Sequence, residues 1–403
     1  MPDGGGRRYG NGRTEEFIKI LGQRNFPISD VHLNSSDGSA GKKLFVKHQE
    51  IIVKEINHES FAGTDECYVG RLRKDSAFKN GLAMWVFADN IRRNNQARLA
   101  RSRRVKMKEL GRLITAMVTP FNEKGEVDYT QAKKLAKALL ASGSEGLVVV
   151  GTTGESPTLR HEEEKRLFTE IKKTVGDKGS VIAGTGSNNT AEALEFTKDA
   201  EKIGVDACLL VVPYYNKPSQ DGLYQHFKKI AENTSLPCIL YNVPSRTVTN
   251  LAPETTIKLS HVPNIIGVKE ASGNMEQITK IIKEAKPGFL VWSGNDSDTL
   301  PMLALGAYGV ISVASHIVGK QISDMIYSFV KGNTKKAAEI HAHLLPLVNA
   351  LFIVSNPAPV KYALNQVGFK VGKPRLPLCE PDEKSATLIK ETLKKYKIDI
   401  KVK

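Results

Sequence analysis

Lys269 closes the β-branched run Ile265-Ile-Gly-Val-Lys269 and is followed by Glu270-Ala-Ser-Gly273. An amine kept beside apolar groups keeps its lone pair more readily and can add to a carbonyl carbon. A lysine in this position is also the ordinary end of a strand reaching into solvent, so Lys269 needs companions before it means chemistry. Two polar clusters supply them. Gly151-Thr152-Thr153-Gly154-Glu155-Ser156 follows the run Gly146-Leu-Val-Val-Val150, and Tyr241-Asn-Val-Pro-Ser-Arg-Thr247 follows Cys238-Ile-Leu240. Making an imine and then an enamine needs several proton transfers, which a placed hydroxyl such as that of Tyr241 can serve. Two small hydroxyls and free backbone amides at Thr152 and Thr153 suit a carboxylate, although the same residues make a plain turn. Arg246 offers a planar fork that holds a carboxylate in two parallel hydrogen bonds, although a loop arginine is usually just a surface charge. Taken together, the three clusters suit imine chemistry on a keto acid.

Residues this far apart in sequence need a scaffold that gathers them. From residue 113 onward a short β-branched run, a polar loop and a helix-period stretch repeat. Eight runs are found: 113–118, 146–150, 181–184, 207–212, 238–242, 265–269, 289–293 and 309–313. Their spacing of about 20 to 35 residues leaves room for one crossover helix each. The pattern predicts an α/β fold, a closed (β/α)8 TIM barrel. An open doubly wound sheet would normally carry a glycine fingerprint after its first strand, and none follows Val118. Barrel chemistry gathers at the C-terminal strand ends, where Thr152, Tyr215, Tyr241 and Lys269 all fall. Helix-compatible stretches at 321–331, 334–352, 359–367 and 383–395 predict a C-terminal helical subdomain.

These clusters and their order carry a resemblance. From about Met107 to Lys403 the chain resembles the 4-hydroxy-tetrahydrodipicolinate (dihydrodipicolinate) synthases, members of the pyruvate-dependent class I aldolases. The resemblance implies a lyase of lysine biosynthesis by the diaminopimelate route, which condenses pyruvate with L-aspartate 4-semialdehyde through a Schiff base on Lys269. It implies a proton relay of Tyr241, Thr152 and Tyr215, with Tyr215 reaching across from a neighbouring subunit. It further implies substrate contacts at Thr153, Arg246, Gly294 and Ile311, a homotetramer built as a dimer of dimers, no cofactor and a cytoplasmic place of work. In relatives inhibited by lysine the effector lies at a dimer interface, and Ser156, His161, Asn188, Glu192 and Tyr214 fall on matching positions. Pro157 and Glu164 depart from the common pattern there. Asn188 and Glu192 also fit the ordinary start of a helix.

The first 106 residues read differently. They hold 20 basic and 12 acidic residues, net +8 of the chain's +15. The stretch Arg92 to Lys106 carries seven basic residues and no acidic one. With no interleaved aromatics it reads as a linker over 92–106, with no nucleic-acid partner. Phe17 to Ile28, Ser39 to Lys43 and Phe61 to Asp65 resemble the beginning of an aspartate-semialdehyde dehydrogenase, so residues 1–91 are expected to be a truncated, partial Rossmann-like fragment. The expected division is therefore 1–91, 92–106, a barrel at 107–330 and a helical subdomain at 331–403. Four cysteines (Cys67, Cys208, Cys238, Cys379) lack paired spacing and suit a reducing compartment. No apolar run approaches the roughly 20 residues of a membrane span. The histidines are scattered, His341 and His343 lying two apart where helix side chains diverge, and no metal site is expected.

Two other readings compete. A sister aldolase acting on N-acetylneuraminate or a 2-keto-3-deoxy sugar acid would use the same Lys269, but Arg246 argues against it. A non-enzymatic protein using the barrel as scaffold has no need of Lys269, Tyr241 and Thr152 together.

Overall fold

The computed structural model describes residues 109–401 in full and, before them, only the backbone of two strands. These are β1 (Gly41–Val46) and β2 (Gln49–Lys54), an antiparallel pair. The expectations for the rest of 1–106 lie outside the described residues. The chain divides into two units, Met1–Ala88 and Asp89–Lys403.

All eight expected runs are strands: β3 (Leu113–Ala116), β4 (Gly146–Val149), β5 (Ser180–Gly184), β6 (Ala207–Val211), β7 (Cys238–Asn242), β8 (Ile265–Glu270), β9 (Leu290–Ser293) and β10 (Gly309–Ser312). They pair in parallel and in sequence order, and β10 pairs with β3 to close the barrel. Several runs outlast their strands. Val118 leaves the ladder because its N–H turns to His316 Nε2 at 3.1 Å. The strands are mostly apolar because both faces are buried, with Asn242, Lys269, Glu270, Ser293 and Ser312 at their C-terminal ends. Ile114, Val148, Ile182, Leu209, Ile239, Trp292 and Ile311 fill the interior. Their neighbours Leu113, Leu147, Val181, Cys208, Leu240, Val268 and Val310 face the helices.

The crossover helices are α1 (Tyr129–Ala141), α2 (His161–Val175), α3 (Thr190–Ile203), α4 (Gln220–Ala231), the single turn α5 (Pro244–Thr247), α6 (Pro253–Ser260), α7 (Met275–Glu284) and α8 (Thr299–Ala304). Asp128, Asn189, Ser219 and Asn274 cap α1, α3, α4 and α7 by accepting from backbone N–H groups of the first turn. Beyond β10 come α9 (Ser315–Val330), α10 (Thr334–Ala350), α11 (Ala358–Gln366) and α12 (Glu383–Leu393), within a residue or two of expectation except that α9 starts six residues sooner. Its first turn, Ser315-His316-Ile317-Val318, is buried on every side, and Val318 breaks the helical backbone (φ −125°), which hides that turn from a periodicity reading. Among the described residues no helix is long and apolar enough to cross a membrane.

Candidate active site

Lys269 lies opposite Tyr241 in the β7–β8 register. The Lys269 side chain is 5 % exposed, and its Nζ stands 4.3 Å from the centre of the Tyr241 ring. Strand alternation explains this placement. Tyr241 belongs to the interior set while its neighbour Leu240 packs outward. By the same alternation Asn242 and Glu270 face the helix layer behind the pair, and they also register with each other. Asn242 Nδ2 donates to both Glu270 carboxylate oxygens at 3.2 and 3.1 Å. Gln277 Nε2 and the Ser272 N–H complete the cradle at 3.2 and 2.7 Å. Burial pushes the Glu270 carboxyl above its usual range, and these donors pull against that rise. The cradle fixes the relative height of the strands that carry Lys269 and Tyr241. Sequence reading missed it, although a polar residue directly after each reactive one, at the end of an apolar run, was the available signal.

Thr152, Thr153 and Gly154 form a 3-10 turn after β4. Glu155 closes it in the left-handed conformation, φ 60°. The turn is held from outside the barrel. Lys361 Nζ, fully buried, contacts Glu155 Oε1 at 2.8 Å and donates also to the carbonyls of Thr119 and Lys373, both at 3.0 Å. The other Glu155 oxygen accepts from the Arg375 N–H at 2.9 Å, and the Arg375 guanidinium pairs bidentately with Glu163. Thr153, 3 % exposed, accepts from Asn356 Nδ2 at 2.9 Å, while Arg246 on α5 donates to the Asn356 carbonyl at 3.1 Å. The segment between α10 and α11 therefore touches both expected carboxylate binders. Gly294 follows β9 and donates its N–H to the Glu270 carbonyl at 2.7 Å. A Cβ on Gly294 would fall 2.6 Å from that of Ala271, so the close approach requires glycine. Ile311 is a wholly buried interior residue of β10.

Tyr215 stands apart. It is 87 % exposed with φ 73°, a conformation rarely taken by an aromatic residue. Thr152 is half-buried in the turn after β4, and Tyr241 is buried at the end of β7.

The expected effector residues fall near one another. Asn188 Nδ2 donates to the Tyr214 carbonyl at 3.2 Å, and Ser187 Oγ donates to the Glu192 carboxylate. Burial raises the Tyr214 hydroxyl, and the charge of Glu192 raises it further. The cap of α3 is Asn189, accepting from Ala191 N–H at 3.0 Å, which leaves Asn188 free of that task. His161 stacks on Phe196 with ring centres 4.2 Å apart and reaches Asp199 at 3.1 Å and Glu164 at 3.6 Å. Burial, with Glu192 and Glu163 nearby, pushes the Glu164 carboxyl up to about 8. Ser156 begins the next 3-10 turn, with its N–H 3.4 Å from the Gly151 carbonyl. Among the described residues His161, Glu195 and Asp199 gather ligand atoms within 4.8 Å of one another. Lys165 and Lys202 already neutralise Asp199 at 3.0 and 3.1 Å, and a metal would have to displace them. Cys208 and Cys238, unpaired by spacing, sit side by side on β6 and β7 as free buried thiols with sulfurs 3.4 Å apart.

A closed α/β barrel with a buried lysine facing a tyrosine at the C-terminal strand ends marks an α/β-barrel enzyme, and the family it matches is one of lyases. Residues 109–396 match the dihydrodipicolinate synthetase family, and the chain belongs to it. A 4-hydroxy-tetrahydrodipicolinate synthase of Dehalococcoides mccartyi is 70 % identical over 297 residues, which are 74 % of this chain and 100 % of the relative. A counterpart from Moorella thermoacetica is 54 % identical over 286 residues, 70 % of this chain and 98 % of the relative. The crystal structure of a Bacillus anthracis dihydrodipicolinate synthase superposes with a TM-score of 0.70 at 45 % identity, covering 71 % of this chain and 98 % of that one. A lysine-bound structure from Cyanidioschyzon merolae gives a TM-score of 0.70 at 48 % identity, with the same coverage. Residues 24–93 match the dimerisation domain of semialdehyde dehydrogenases. The match agrees with the expected semialdehyde-dehydrogenase fragment and lies in the dimerisation domain of that class.

Proposed function

We propose that the chain condenses pyruvate with L-aspartate 4-semialdehyde to give 4-hydroxy-tetrahydrodipicolinate, with Lys269 as the covalent centre. The Lys269 amine adds to the ketone carbon of pyruvate and water leaves, giving an imine. Loss of a methyl proton gives the enamine, which attacks the aldehyde carbon of the semialdehyde. The amino group of the new chain then displaces the lysine and closes the ring. Tyr241 serves the proton transfers, joined by Thr152 and a neighbouring subunit's Tyr215. Thr153 and the amides of its turn hold the pyruvate carboxylate, and Arg246 holds that of the semialdehyde. Gly294 and Ile311 shape the cavity wall.

The observation that carries this reading is the buried Lys269 amine 4.3 Å from the Tyr241 ring. A buried amine packed against a tyrosine can add to a ketone carbon, and the tyrosine hydroxyl can serve the proton transfers that follow. Borohydride reduction in the presence of pyruvate should add the mass of one reduced pyruvate to the peptide holding Lys269, and Lys269→Ala should take none. Persistent labelling of the variant would refute the assignment.

The same reading makes the working unit at least a dimer, since a subunit without its neighbour's Tyr215 lacks part of the relay, and the family resemblance extends it to a homotetramer built as a dimer of dimers. It places lysine as an inhibitor at Ser156, His161, Asn188, Glu192 and Tyr214, with Glu192 facing the ammonium. It also places the enzyme in the cytoplasm, a setting compatible with the free thiols of Cys208 and Cys238.

A further inference from the structure

We infer that Asn356 is a positioning residue that sets the direction of the Thr153 hydroxyl and so decides which way its single proton points. The inference rests on the reading of Thr153 as a pyruvate-carboxylate binder and goes beyond it.

A threonine hydroxyl has one proton to give and two lone pairs to receive. Thr153 can donate that proton to a carboxylate only if its contact with Asn356 runs the other way, the amide N–H donating to Oγ1. The structure has that polarity, with Asn356 Nδ2 donating to Thr153 Oγ1 at 2.9 Å. The rest of the Asn356 side chain supports the choice. Its Oδ1 is buried and accepts no hydrogen bond, so turning the amide over would leave its two N–H donors there instead and would use up the threonine proton. A buried asparagine kept only for packing would not leave an acceptor unmet, because an apolar residue of similar size would fit at lower cost. The backbone of Asn356 is engaged separately. Its carbonyl accepts from Arg246 at 3.1 Å, a contact that no change of side chain removes. The two halves of the site thus depend on different atoms of one residue, and substitution can separate them.

Two variants with opposite hydrogen-bond character make the test. Asn356→Ala removes the donor and leaves Thr153 undirected. Asn356→Asp replaces the donor by a carboxylate that takes the threonine proton away from pyruvate. The expected result is a rise in the pyruvate concentration for half-maximal borohydride trapping of about tenfold for Ala, given the usual worth of a hydrogen bond to a charged group, and a larger rise for Asp. The KM for aspartate semialdehyde should stay within about twofold in both, since the carbonyl contact to Arg246 remains. In a Thr153→Val background, Asn356→Ala should add no further rise, because the hydroxyl it directs is gone.

An Asp variant no worse than Ala, equal rises for both substrates, or additive effects in the Thr153→Val background would overturn the inference. Circular dichroism and the tetramer's elution volume identify a variant that fails to fold, in which case Asn356→Ser supplies the comparison. Wild-type protein that takes no label with pyruvate would refute Schiff-base chemistry as a whole, a result distinct from any of these.

Discussion

At the scale of single residues, the placement of a candidate side chain was legible where it ended an apolar run, as with Lys269 and Tyr241, which face each other across β7 and β8. Asn242, Glu270 and Asn356 were not legible, because each acts through contacts made only in three dimensions. Asn356 lies 203 positions from the threonine it touches. Glu164 shows how much a neighbour matters. Its carboxyl is pushed up to about 8, so it is neutral at pH 7 and gains charge only as pH rises through that value. A second carboxylate would then stand beside Glu192, and attraction for the ammonium of lysine should grow. Titrating L-lysine against initial rate should show inhibition strengthening between pH 7 and 9. Glu164→Gln should flatten that trend, and Glu192→Ala should abolish inhibition. A response to lysine that is the same at both pH values in wild type would remove Glu164 from the effector site.

At the scale of elements, all eight strands and four C-terminal helices could be read because a strand buried on both faces is mostly apolar and a surface helix keeps its stripe. Strand ends were less legible, since ladders stop where backbone groups find other partners, as Val118 does with His316. What joins the elements was hidden altogether. The Lys361–Glu155 pair is wholly buried, with Phe121 beneath the ammonium at 4.1 Å, and it ties the Thr152–Gly154 turn to α11. Breaking such a pair strands one charge. Lys361→Met should cost about 3–5 kcal/mol by urea unfolding, and adding Glu155→Gln should recover a good part of it by removing the orphaned carboxylate. A double variant no more stable than Lys361→Met would show that the loss comes from packing against Phe121.

At the scale of the whole molecule, the sequence made the barrel plain and the assembly only indirectly so. Tyr215, exposed and held at positive φ, makes sense as a group offered to another copy. If two chains share each site, Tyr215→Phe and Lys269→Ala variants, each weak alone, should regain activity on mixing, because mixed dimers contain one intact set. No recovery despite proven subunit exchange would sink the shared site. The N-terminal stretch was legible as well, since its resemblance to a semialdehyde dehydrogenase agrees with the match of residues 24–93 to the dimerisation domain of that class.

The long reach of the contacts around Thr153 and Glu155 has a consequence for synthesis. A ribosome releases the eighth barrel strand at Ser312, yet Asn356, Lys361 and Arg375 are still to come. For that interval the nascent protein has all its barrel strands but lacks the residues that hold the Thr152–Gly154 turn, so the turn can take its final form only after the C-terminal helices are made.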